Sequence, residues 1–124
     1  MIRPIHLLVL AMLGAASPAW AHAFLQRAEP PAGGEIAVPP HQLVLTFTEG
    51  VEPLFTTVQV QDANGGTIST GKPHTASGNN RRLEVDLPVL SPGVYTVVWH
   101  ATSVDTHKTE GSYKFTVRQL IKGQ

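Results

Sequence analysis

The amino-acid sequence predicts an all-β fold, a Greek-key β-sandwich or small barrel of about seven strands. Three observations predict it. After residue 21, short runs rich in Val, Thr, Phe and Tyr alternate between apolar and polar side chains. No segment in that part repeats its apolar residues with the 3.6-residue period of a helix. The chain as a whole has 10 prolines and 11 glycines, which is typical of a protein built from strands and turns.

The predicted strands follow one another in chain order, each placed where one face of the alternation is apolar. The ranges are 23–28, 42–49, 57–61, 67–69, 82–87, 93–100 and 112–118. Asn64-Gly65 can adopt positive φ, so it predicts the turn between the third and fourth of these strands. The run 93–100 is apolar on both faces and is expected to be a central strand. The polar segment 71–80 is expected to be a mobile surface loop.

The alternation also predicts which side chains form the core, because successive residues of a strand point to opposite faces. The predicted inward-facing residues are Leu43, Leu45, Phe47, Val58, Val60, Leu83, Val85, Leu87, Tyr113, Phe115 and Val117.

Residues 1–21 have the pattern of a secretory signal peptide. Arg3 supplies a positive start, residues 5–16 are almost wholly apolar, and Ala19-Trp20-Ala21 is a small-x-small cleavage site. The apolar run is shorter than the ~20 residues that span a bilayer. The sequence therefore predicts one domain, residues 22–124, after cleavage. An uncleaved membrane anchor and cleavage one or two residues away are the alternatives.

The composition of residues 22–124 excludes several functions. Removal of Arg3 leaves eight basic against nine acidic residues, and this balance provides no basic patch for nucleic acid. The chain has no cysteine, and Met1 and Met12 are its two methionines. Sulfur ligands and a cysteine nucleophile are thus absent from the mature chain, so nitrogen and oxygen are its metal donors. No second hydrophobic stretch follows residue 21, and we expect no membrane span.

Cleavage after Ala21 would make His22 the first residue of the mature chain. Its α-amine and imidazole could then chelate one metal ion once the amine loses its proton. Asp105 and His107 are two residues apart in a predicted strand-joining loop, 102–111, and an extended backbone would direct both to the same side. These four donors suit Cu(II). A solvated polar loop is the alternative for Asp105 and His107 alone.

Several motifs together resemble the CopC family of periplasmic copper-resistance proteins. The resemblance depends on the order and spacing of these motifs over residues 22–124. No single motif would be specific enough to indicate the family. The motifs are His22-Ala, Ala28-Glu-Pro-Pro-Ala-Gly33, Leu45-Thr-Phe-Thr-Glu49 with Val51-Glu52-Pro53, Leu90-Ser-Pro-Gly-Val-Tyr-Thr-Val97 before Trp99, and Ser103-Val-Asp-Thr-His107 before Gly111-Ser-Tyr-Lys-Phe-Thr-Val117.

The resemblance implies a cupredoxin- or immunoglobulin-like fold and a non-enzymatic role in the periplasm. It implies Cu(II) bound by the His22 amine and imidazole with Asp105 and His107, and it places Glu49 near the copper without binding it. Because residues 71–80 contain no methionine, the chain resembles the members that bind Cu(II) alone. A CopD-like inner-membrane importer is the implied partner, and we expect a monomer that sequesters or carries copper.

Two other functional classes remain open from the sequence. A histidine-brace copper oxygenase also uses an N-terminal histidine, although it usually needs an open coordination position and a broad substrate face. A metal-free immunoglobulin-like accessory domain would take up no stoichiometric copper. The remaining histidines of the mature chain, His41, His74 and His100, are expected to be solvated.

Overall fold

A computed structural model describes residues 23–119 of the chain. Nine strands and one short 3₁₀ helix, Pro53–Phe55, lie within this range. The strands are β1 (Leu25–Glu29), β2 (Glu35–Ile36), β3 (Gln42–Phe47), β4 (Thr57–Gln61), β5 (Thr67–Ile68), β6 (His74–Ala76), β7 (Asn79–Asp86), β8 (Gly93–Thr102) and β9 (Lys108–Val117). The predicted all-β class is confirmed.

The strands form two sheets that pack as a sandwich. One sheet has the order β1-β3-β7-β6, and the other has the order β2-β9-β8-β4-β5. The β8–β9 hairpin is the longest pairing, with a continuous antiparallel register from Gly93 opposite Val117 to Thr102 opposite Lys108. Because β8 lies between β9 and β4, the predicted central position of this strand is confirmed. The closed end of the hairpin carries Asp105 and His107.

The core lies between the inward faces of the two sheets. All eleven side chains predicted to face inward are buried there. The ring of Phe47 contacts that of Trp99 edge-on, at 5.3 Å between centroids and 78° between planes. The Tyr95 and Phe115 rings stack at 5.6 Å. Such aromatic pairs add about 0.5–1.5 kcal/mol beyond the area they bury, which helps a domain without disulfides.

Gly111 on β9 lies directly beneath the ring of Trp99. A Cβ atom at position 111 would stand 2.5 Å from Trp99 Cζ2, well inside van der Waals contact. Only glycine therefore allows the indole to pack flat over β9. This contact holds β8 and β9 together four residues beyond His107.

The structure corrects the sequence prediction at two edge strands. Residues 71–80, predicted to be a mobile loop, contain β6 and the first residues of β7, which pair with each other. β2 was not predicted at all, and it pairs in parallel with the end of β9. Both elements are edge strands of two or three residues, too short to show an alternating pattern.

The predicted signal peptide, residues 1–21, and the predicted ligand His22 lie outside the described residues. In the part that the structure describes, no helix has the length and apolar content needed to cross a membrane.

Candidate metal centre

Asp105 and His107 lie in a tight turn that joins β8 to β9. The backbone N–H of Ser103 donates to the His107 carbonyl oxygen at 2.9 Å, and the Thr106 N–H donates to the Ser103 carbonyl oxygen at 2.9 Å. Thr106 has φ of +74°, the left-handed conformation that closes a three-residue hairpin loop. The three residues are 104–106, between the hydrogen-bonded residues Ser103 and His107. The left-handed conformation is strained for a β-branched residue such as threonine.

The predicted loop 102–111 is shorter in the structure than the sequence suggested. β8 continues to Thr102 and β9 begins at Lys108, so five residues remain between the strands. Asp105 and His107 therefore lie on a turn and not on the extended backbone assumed in the prediction. The turn still brings the two side chains together, with Asp105 Oδ2 3.2 Å from His107 Nδ1.

The Ser103 side chain contacts both members of this pair. Its hydroxyl donates to Asp105 Oδ1 and accepts the backbone N–H of His107 at 3.2 Å. Ser103 is 1% exposed. The hydrogen bond from Ser103 holds the pKa of Asp105 below its ordinary value; partial desolvation opposes this shift, and His107 supports it. Asp105 therefore stays ionised over a wider pH range and keeps its charge for a cation.

The imidazole of His107 is oriented by its surroundings. Its Nδ1 atom is buried and faces Asp105 Oδ2, while the side chain as a whole is 37% exposed. The imidazole of His107 and the carboxylate of Asp105 therefore lie side by side at the turn.

The first described residue of the chain lies against the same hairpin. Ala23 is fully buried, and its carbonyl oxygen accepts a hydrogen bond of 2.7 Å from the Thr109 hydroxyl. Phe24 and Thr48 exchange two further hydrogen bonds, of 2.9 and 3.0 Å. The chain therefore enters the fold at the closed end of the β8–β9 hairpin.

Glu49 lies at this end as well, two residues beyond β3, and is half-buried. The next residue, Gly50, accepts the Val104 N–H on its carbonyl oxygen at 3.0 Å, and Val51 forms a β-bridge with Ser103. These backbone contacts place the Glu49 segment beside the turn. The predicted role of its carboxylate near a metal remains a prediction.

Within residues 23–119, no group of three or more His, Asp or Glu side chains could hold a metal ion. Asp105 and His107 supply two donors. His22, the third predicted ligand, lies outside the described residues.

The other histidines lie apart from the turn. His100 Nε2 on β8 lies 3.0 Å from Glu110 Oε2 across the strand pairing, and both side chains are largely exposed. His74 on β6 contacts Glu84 at 3.4 Å. His41 is exposed. The expectation that all three are solvent-accessible agrees with the structure.

Sequence reasoning missed two hydroxyl residues at the site. A serine two residues before an aspartate can form a side-chain-capped turn, and this pattern could have drawn attention to Ser103. Thr109 had no such signal, because its partner Ala23 lies 86 residues earlier and only the tertiary fold brings them together.

Comparison with known proteins identifies one family. The model of the CopC domain matches residues 25–118. Protein YobA of Escherichia coli is 38% identical over 100 residues, which cover 80% of this chain and 81% of that protein.

Two solved structures share the fold. The crystal structure of CopC from Methylosinus trichosporium OB3b matches with a TM-score of 0.75 and 34% identity, over 78% of this chain and 94% of that one. PcoC, a methionine-rich copper resistance protein from Escherichia coli, matches with a TM-score of 0.71 and 25% identity, over 79% of this chain and 100% of that one.

Proposed function

Because the chain belongs to the CopC family, a non-enzymatic family that binds copper ions, we propose that it is a periplasmic protein that sequesters or carries Cu(II). The proposed ligands are the amine and imidazole of His22 with the side chains of Asp105 and His107. Glu49 is proposed to lie near the ion without binding it. The proposed domain is residues 22–124, after removal of the signal peptide 1–21.

One observation carries this assignment: the hydrogen bond between Thr109 and the Ala23 carbonyl. Ala23 is buried and bonded to Thr109, and neighbouring Cα atoms along a chain are 3.8 Å apart. Thr109 is two residues from His107. The fold thus supports a site in which the start of the mature sequence and the turn between β8 and β9 contribute donors to one ion.

The chemistry of the donors favours Cu(II). Two imidazoles, one amine and one carboxylate make a nitrogen-and-oxygen set, and Cu(II) binds such a set more tightly than the other divalent first-row ions do. The mature chain has no cysteine or methionine, whereas Cu(I) prefers their sulfur. The PcoC relative is described as methionine-rich, whereas residues 22–124 of this chain contain no methionine.

A carrier role fits this site better than catalysis does. The family is non-enzymatic, which leaves the copper oxygenase alternative without support. Four protein donors would fill a square-planar site and leave no open position for a substrate. A CopD-like inner-membrane transporter is the proposed recipient of the ion.

The direct test is equilibrium dialysis of residues 22–124 against Cu(II), followed by EPR spectroscopy. We expect one Cu(II) per chain, with the spectrum of a tetragonal nitrogen-and-oxygen site. Zn(II) at the same concentration should not displace it. The absence of stoichiometric uptake would overturn the proposal and favour a metal-free accessory domain.

A further inference from the structure

We infer that Ser103 is a positioning residue of the metal centre: its one hydroxyl orients the Asp105 carboxylate and holds the His107 backbone, so that both side chains face the same ion. This inference rests on the proposed function. It adds a residue that binds no metal and yet sets how tightly the metal is bound.

The backbone of Ser103 closes the turn, and its side chain makes separate hydrogen bonds to Asp105 and His107. The Ser103 N–H and C=O bond to His107 and Thr106 respectively. The β-bridge to Val51 anchors the same residue to the segment after β3. With 1% of its surface exposed, Ser103 is held in place by packing.

The direction of each side-chain hydrogen bond follows from the chemistry of the groups. A serine hydroxyl has one proton, and an ionised carboxylate can only accept. The proton must therefore go to Asp105 Oδ1, and the oxygen accepts the His107 N–H. The hydroxyl is thereby fixed by two partners, and it fixes both in return.

The consequence for Asp105 is the loss of side-chain rotation. The Asp105 side chain is 44% exposed, and an exposed carboxylate samples several rotamers. The bond to Oδ1 holds one of them, in which Oδ2 lies beside the imidazole of His107. Because the carboxylate is ordered before the ion arrives, binding does not include the entropic cost of fixing this side chain.

Removal of the hydroxyl should weaken Cu(II) binding by about 10–100-fold, the range found for partners that orient metal ligands. The variant is Ser103→Ala in residues 22–124, and the affinity is measured by competition with a chelator of known strength. We also expect a changed EPR spectrum, since the carboxylate would approach the ion in a different orientation. A purely structural serine would lower the melting temperature and leave the spectrum of the bound ion unchanged.

Thr56 provides the matched control. Its hydroxyl is also buried, at 4% exposure, and it donates to the Glu52 carbonyl and accepts the Thr102 N–H. Thr56→Val removes a hydroxyl with backbone partners from the same end of the fold. This variant should reduce the stability of the fold and should keep the Cu(II) affinity and the EPR spectrum of the parent unchanged.

A second pair of variants covers the case in which Ser103→Ala does not fold. Ser103→Thr and Ser103→Val introduce side chains of the same branched shape, and only the threonine keeps a hydroxyl. We expect the threonine variant to retain the parental spectrum and the valine variant to lose it. Equal affinities and spectra in this pair would overturn the inference.

The outcomes separate the two levels of the proposal. If the parent takes up no stoichiometric Cu(II), the proposed function fails and the inference fails with it. If the parent binds one Cu(II), His107→Ala loses it, and Ser103→Ala matches the parent in affinity and spectrum, only the role of Ser103 is refuted.

Discussion

The Thr109 hydroxyl donates a 2.7 Å hydrogen bond to the carbonyl oxygen of Ala23, across 86 residues of sequence. This bond joins the start of the described chain to β9, two residues after His107. Ala23 is fully buried, so its carbonyl has no route to solvent. Two segments far apart in sequence are therefore held together where the metal centre is proposed.

Thr109→Val should weaken both folding and copper binding. The substitution keeps the shape of the side chain and leaves the buried Ala23 carbonyl without this donor, which costs about 1–3 kcal/mol of unfolding free energy. Cu(II) affinity should fall as well, because this bond holds Ala23, the neighbour of the proposed ligand His22, against the hairpin. Urea unfolding and chelator competition measure the two effects. Thr109→Ser retains the hydroxyl and should resemble the parent; a valine variant with parental affinity would contradict the account.

His107→Ala should reduce Cu(II) affinity by about 100-fold or more, since loss of a ligand exceeds the effect of losing a residue that orients one. The His107 side chain is 37% exposed, so the folded state should survive. His100→Ala is the control, because His100 lies on the outer face of β8 and pairs with Glu110. Titration of both variants at pH 7 should separate them clearly. Equal affinities would exclude His107 as a ligand.

The metal-free protein should lose stability in acid partly through Asp105. Its pKa is lowered in the folded state, first by the Ser103 hydrogen bond, relative to about 3.9 in an unfolded chain. Because the pKa is lower in the folded state, the ionised Asp105 contributes to the stability of the fold above its unfolded pKa. This contribution disappears as the pH falls through the folded pKa. Melting temperatures between pH 7 and pH 2 should therefore decline less for Asp105→Asn than for the parent; parallel curves would refute this.

The two tyrosines of the core should respond in opposite ways to loss of the hydroxyl. Tyr95 donates to the Ser91 carbonyl at 2.5 Å, whereas the Tyr113 hydroxyl is buried without a hydrogen-bond partner among residues 23–119. Burial accordingly raises the pKa of Tyr113. Tyr95→Phe should cost about 1 kcal/mol, and Tyr113→Phe should be neutral or stabilising. Chemical denaturation of both variants tests this, and a large loss in Tyr113→Phe would show that the hydroxyl has a partner.

The fold was largely predictable because strand alternation is a local signal. Leu43, Leu45 and Phe47 show the period of two, and all three are fully buried. β2 and β6 were missed because two or three residues cannot display that period. The polarity of 71–80 reflects an edge position in the sheet, where side chains face solvent.

The proximity of Asp105 and His107 was predictable from the sequence, whereas the geometry of the turn that brings them together was not. The spacing of Asp105 and His107 suggested two side chains on one face of an extended segment. In the structure a turn with Thr106 at positive φ brings them together, and nothing in the sequence marks a threonine for that conformation. The contacts of Ser103 are local, and its position two residues before an aspartate could have indicated them. The contact of Thr109 is tertiary, and no local pattern encodes it.

The most direct test of the account is a Cu(II) titration of two versions of the mature chain, one beginning at His22 and one carrying a single extra residue before it. The extension removes the free amine of His22 and leaves every other side chain in place. The account predicts one tight tetragonal nitrogen-and-oxygen site in the first version, and its loss or a remodelled EPR spectrum in the second. Equal, weak binding by both versions would contradict it.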